Sequence, residues 1–206
     1  RLEDIRQELG VWIISINRTG SKQLKTSDSE RLVPIHKQLI ETGFLDYHQA
    51  RLDIVKQDMK APLFENIRVY GDLSPGHVAS RWYLGSSQGS HGYLGLCGLG
   101  EEGLTYHGLR HTFINQFRRQ NLDLAKAKAL VGHADKSTTG GYGDCYPAGV
   151  LKDELDKIDF GLGLDHIHYR HYQGLQKAQG DFKVGRPVGT PFPNVRVPKR
   201  HWKTYA

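Results

Sequence analysis

Residues 105–113 read TYHGLRHTF, and residues 130–144 read LVGHADKSTTGGYGD. On a helix His107 and Arg110 are three residues apart and share a face, so both polar heads can reach one anion. Arginine presents a planar fork that matches phosphate geometry, and histidine either donates a hydrogen bond or takes a proton near neutral pH. His133 adds a further donor. Tyr142, nine residues beyond it, supplies a hydroxyl that becomes a nucleophile if neighbouring positive charge overcomes its ordinary pKa of about 10. Lys25, in a polar stretch between two strand-like segments, is placed to hand a proton to a departing alkoxide. These residue types together suit phosphoryl transfer.

The elements expected to hold them are mostly helical. GVWIISI is β-rich and short, RTGSKQLKTSDS is polar and turn-forming, and ERLVPIH reads as a second strand, giving a hairpin with a long tip that carries Lys22 and Lys25. HKQLIETGFLDYHQARLDI has Leu39, Ile40, Phe44, Leu45 and Leu52 at helical intervals with a break at Gly43. A helix is expected from Gly76 to Tyr83, decaying into a Gly/Ser loop. In HGLRHTFINQFRRQ, Leu109, Phe113 and Phe117 recur every four residues as one amphipathic stripe. NLDLAKAKALVGH predicts a second helix that stops at Gly132. DKSTTGGYGD offers Asp135 or Ser137 as the cap of a further short helix, weakened by Gly140 and Gly141.

HGLRHTF, then LVGH, then a tyrosine nine residues after that histidine resembles the catalytic domain of the tyrosine recombinases, the phage-integrase family. The upstream DIRQELGVWIISI…LKTSDSERLVPIHKQLIETGFLDY is similar to that family's hairpin and its KT…S.R.VP strand, so the resemblance covers about residues 3–160. It implies a mainly α fold with a small antiparallel sheet (α+β). It further implies cleavage and rejoining of double-stranded DNA through a 3′-phosphotyrosine intermediate, without metal, ATP or other cofactor, by protomers that assemble as a tetramer on the recombination site. Tyr142 would be the nucleophile, Arg110 and His107 the HxxR pair, His133 the second histidine and Lys25 the hairpin lysine, with Lys22 the competing choice. His107 would be the base for the tyrosine.

The chain departs from the pattern in one respect. The family uses another arginine ahead of the hairpin, and the local candidate is Arg1 in RLEDI; the distance from Asp4 to Gly10 fits Asp4-Ile5 better as the approach to the first strand. That favours a first arginine upstream of this chain, which begins without methionine and reads as a fragment, with Arg1 as the alternative. A fragment lacking it would cleave DNA poorly, and a DNA-binding domain without catalysis is the alternative reading.

Composition bounds the rest. The 206 residues, with 38% hydrophobic and 24% charged, suit one globular domain with an appendage. No stretch is apolar enough for a membrane span or a signal peptide, so a cytoplasmic location is expected. Cys97 and Cys145 fall in no CxxC pattern, and reduced thiols are expected. From Gly161 onward, eight Lys and Arg face only Asp165 and Asp181, which accounts for the whole net charge of +6. With Pro187, Pro191, Pro193 and Pro198, residues 161–206 read as a basic tail apart from a 1–160 catalytic domain. Such an arm could lie on DNA. Two motifs point elsewhere. GSSQG at 85–89 satisfies GxSxG but lacks the strand and helix a nucleophile elbow needs. DHIHYRH puts His166, His168 and His171 in metal-ligand spacing without a fourth ligand.

Overall fold

A single 3₁₀ turn, Leu2–Asp4, leads straight into a three-stranded antiparallel meander of β1 (Ile5–Glu8), β2 (Val11–Ile16) and β3 (Arg31–Pro34) in that spatial order. The computed structural model describes residues 1–20, 22, 24, 29–64, 74–85, 92–99, 103–105, 107–132 and 146–171. Ile5 pairs with Ile14, and Ile14 in turn with Val33. β1 and β2 are joined by Leu9 and Gly10, whose φ values of 48° and 80° are those of a two-residue turn matched to strand twist. β1 is not expected from the sequence: IRQE offers one apolar residue, and its ladder partner rather than its own pattern makes it a strand.

The helices follow as α1 (Lys37–Glu41), α2 (Phe44–Ile54), α3 (Pro75–Leu84), α4 (Tyr93–Leu96), α5 (Gly108–Arg119), α6 (Leu124–Val131) and α7 (Ala148–Leu155). The chain is therefore an α+β fold with a small antiparallel sheet. The break between α1 and α2 falls at Gly43, left-handed at φ 80°. A Cβ there would come within 2.8 Å of His168, so glycine is required twice over. His36 caps α1 by accepting from Gln38 N at 3.2 Å, and its Nε2 lies 3.3 Å from Ile158 O just beyond α7.

The main core joins Phe117 of α5, Ala127 and Leu130 of α6, and Leu151, Leu155 and Ile158 of and after α7, with Val33 of β3 packed on it. A smaller cluster of Leu2, Leu52 and Ala61 seats the 3₁₀ turn on α2. The stripe expected on α5 is only partly realised. Phe113 and Phe117 pack with ring centroids 5.1 Å apart, but Leu109 is 52% exposed. Steps of four residues drift by about 40° each around a helix with 3.6 residues per turn, which carries Leu109 off the line of Phe117. Leu39 is likewise exposed, because α1 buries none of its residues.

Residues 164–171 lie back against the α1–α2 turn. Tyr169 N donates to Thr42 O at 2.9 Å, the Tyr169 ring meets Tyr47 edge-on at 5.4 Å, and Arg170 pairs with Asp46 at 3.2 Å. No helix among the described residues is long and apolar enough to cross a membrane.

Candidate active site

The first turn of α5 carries His107 and Arg110. Its start is set by Thr105, whose Oγ1 accepts from Gly108 N at 3.0 Å and whose carbonyl accepts from the same N–H at 2.9 Å. That leaves His107 at the N-cap position with near-helical angles and Arg110 one turn in, its N–H donating to His107 O at 3.0 Å. His107 is exposed and Arg110 half-buried. His111 is also exposed and meets the His107 ring edge-on at 4.9 Å.

α6 delivers the next motif. Asp123 caps its start by accepting from Ala125 N at 2.8 Å, and Gly132 ends it in the left-handed conformation at φ 69°, as the LVGH sequence predicts. The carbonyl of Leu130 in the last turn receives Arg31 Nε at 2.9 Å, while Arg31 Nη1 donates to Ser29 O at 2.7 Å. A Cβ on Gly132 would fall 2.6 Å from Arg31 Nη1, so glycine also makes room for the guanidinium. Burial, and after it the charge of Arg110, push the Arg31 guanidinium below its ordinary pKa. Arg31 thus feels the charge of Arg110, which lies 79 positions away in sequence. Sequence reasoning assigned Arg31 no role; its signal was the R of the SERLVP strand.

The far side of α6 is held by Glu154 of α7. It accepts from Asp123 N at 3.0 Å, Lys126 Nζ at 3.2 Å and Lys157 Nζ at 2.9 Å, and it is only 5% exposed. The Asp123 N–H bond and the Lys157 bond, assisted by Lys126, outweigh burial and lower its pKa to about 2. The end of α5 is tied down as well, through Gln120 Nε2 to Asp159 O at 2.7 Å and Asp159 N to Gln120 Oε1 at 3.1 Å.

Lys22, the competing hairpin lysine, is held elsewhere. Its Nζ lies 2.5 Å from Asp4 Oδ1, 3.1 Å from Glu3 Oε1 and 3.1 Å from Asn17 Oδ1. Burial works against its charge, but the bonds to Asp4 and Glu3 prevail and raise its pKa, which makes it a poorer proton donor. Asp4 is correspondingly lowered: burial opposes its charge and the bonds from Lys22 and Asn17 overcome it. Arg1 joins the same cluster, its guanidinium 3.6 Å from Glu3 and its amino group 3.0 Å from Asp4. Lys25, His133 and Tyr142 lie outside the described residues, as do Asp135, Ser137 and residues 86–89 of GSSQG. His168 and His171 have ring centroids 6.0 Å apart, and no group of three metal-ligating side chains occurs among the described residues.

The chain is similar in sequence to one known protein over part of its length. Over 112 residues the chain is 30% identical to the protein called Tyrosine recombinase XerD of Lacticaseibacillus casei. The match takes in 54% of this chain and 35% of that one, so it spans about a third of the relative's length. No protein-family profile matches the chain, and no solved structure does.

Proposed function

We propose that this chain is the catalytic part of a site-specific DNA recombinase that breaks and rejoins strands through a tyrosyl intermediate. The observation that carries the reading is the ordered set HGLRHTF, LVGH and Tyr142, with two of its members, His107 and Arg110, together on the first turn of α5. The partial likeness to a tyrosine recombinase supports it. In this reading Tyr142 Oη attacks the phosphorus in line, forming a 3′-phosphotyrosine and releasing the 5′ oxygen, which Lys25 protonates. His107 takes the tyrosine proton. Arg110, His107 and His133 hold the non-bridging oxygens and stabilise the charge that develops on them, which is usually the largest effect in such sites. The sequestration of Lys22 favours Lys25 as the proton donor.

The substrate is duplex DNA carrying an attachment site, acted on by an assembly of several protomers in the cytoplasm. Integration and excision of phage or mobile-element DNA is the biological form such chemistry would take. Because side chains supply the positive charge, strand cleavage by the intact protein should persist in EDTA. Arg110→Ala should then slow single-turnover cleavage by about 10²-fold, on the order of 3 kcal/mol of barrier. A loss below threefold would leave Arg110 as a solvated residue on a helix face. DNA binding with no cleavage in the unsubstituted protein would make the chain a recognition domain.

A further inference from the structure

The connection between β2 and β3 is pinned at both of its ends. At its base Arg18 N donates to Glu30 Oε1 at 3.1 Å, which closes the connection on itself. Four residues beyond Arg18, Lys22 Nζ reaches back to the 3₁₀ turn, 2.5 Å from Asp4 Oδ1 and 3.1 Å from Glu3 Oε1, and donates to Asn17 Oδ1 at 3.1 Å. Asn17 Nδ2 in turn donates to Asp4 Oδ1 at 2.9 Å and to Ser15 Oγ at 3.0 Å. The Lys22 and Asp4 side chains are only 17% and 13% exposed, so theirs is no solvated surface pair. At the other end Ser29 O accepts from Arg31 Nη1 at 2.7 Å, and the same guanidinium holds Leu130 O in the last turn of α6. Lys25 stands between these two anchors in sequence, three residues from Lys22. Even a fully extended chain keeps the two within about 11 Å.

We infer that Lys22 is a positioning residue for strand cleavage: its ammonium tethers the hairpin to the 3₁₀ turn and so limits where Lys25 can present its proton. This rests on the reading of Lys25 as the donor to the departing 5′ oxygen. An ammonium bound to two carboxylates and an amide oxygen has its three N–H groups engaged, which suits a tether and not a donor. Fixing both ends of a short connection removes much of the chain's freedom between them, and a reacting group displaced by an ångström loses much of its effect. Lys22 thereby acts on the reaction without touching the DNA.

The test compares single-turnover cleavage of two nicked duplexes by the intact protein, one with the natural 5′ oxygen at the scissile phosphate and one with sulfur in its place. When Tyr142 Oη attacks, the bond from phosphorus to the 5′ oxygen breaks and that oxygen leaves with a proton from Lys25. A thiolate, whose conjugate acid has a pKa of about 8.5, leaves without one. Lys22→Gln and Asp4→Asn should each slow the oxygen substrate about tenfold and the sulfur substrate less than about threefold, the same selectivity that Lys25→Ala shows more strongly. Lys22→Arg, which still bridges the two carboxylates, should restore the oxygen rate. Equal slowing of both substrates by Lys22→Gln, with the selective loss kept in Lys25→Ala, overturns the tether alone and leaves a structural ion pair. Failure of Lys22→Arg to restore the rate also overturns it, because arginine can tether but does not give up its proton. A Lys25→Ala protein that treats the two substrates as the parent does, or a parent that cleaves neither, removes the donor reading and the tether's role with it. Should Lys22→Gln not fold, Glu3→Gln, which takes one carboxylate from Lys22, is read by the same ratio of rates.

Discussion

Glu154 carries more of the site's geometry than its distance from the chemistry suggests. A buried carboxylate that accepts one main-chain N–H and two ammonium groups is bound more tightly ionised than protonated, which is why its pKa falls to about 2. A depressed folded-state pKa stabilises the fold at pH values above the ordinary carboxylate range. That contribution is lost as pH falls from there toward about 2. Glu154→Gln should therefore cost on the order of 2 kcal/mol at neutral pH, with Lys126 left without its buried partner. The deficit should vanish near the acid end of that window. Chemical denaturation of both proteins across the pH range would check it; a deficit independent of pH would mean that packing rather than charge is lost. The contrast with Lys22 is instructive, because there the same kind of pairing raises a lysine pKa and removes it from proton transfer.

Among the elements, those with a long period and a clear stop were legible in the sequence. α6 is bracketed by Asp123 and Gly132, and the α1–α2 break lies at Gly43, where the chain needs a positive φ. β1 and α7 were not legible, for different reasons. β1 owes its existence to Ile14 opposite Ile5, a partner that a window on IRQE does not contain. α7 is eight residues long with no side-chain cap, and Leu151, Leu155 and Ile158 gain their meaning from α5 and α6. Similarly His107 and Arg110 were legible by spacing alone, whereas the hold of Arg31 on the end of α6 required the fold. One local choice in the sheet goes against its own geometry. Leu9 sits at φ 48° and is 97% exposed in the β1–β2 turn, where asparagine is favoured. Leu9→Asn should stabilise the protein by about 0.5–1 kcal/mol in urea unfolding, since it relieves strain and removes exposed apolar surface. A destabilisation would show that the side chain has a contact of its own.

At the scale of the whole molecule, polar ties hold α6 and the chain around α7, the elements on either side in sequence of the segment 133–145 that carries His133 and Tyr142. Arg31 fixes the turn at its start, Glu154 binds α6 to the helix that follows it, and Gln120 and His36 fasten the chain beyond α7. In the proposed reading these ties matter because Tyr142 would have to meet a phosphate at the start of α5, and small misplacements of reacting groups are costly in rate. The proposed role of Tyr142 is that of the nucleophile. Its most direct measurement is incubation of the intact protein with a nicked duplex from which the released 5′ end diffuses away, followed by peptide mapping of any protein–DNA adduct. A 3′-phosphoryl link on Tyr142 is expected, abolished by Tyr142→Phe while DNA affinity stays within a few-fold, since only the attacking oxygen is lost. An adduct undiminished in Tyr142→Phe, or mapped to another residue, would contradict it.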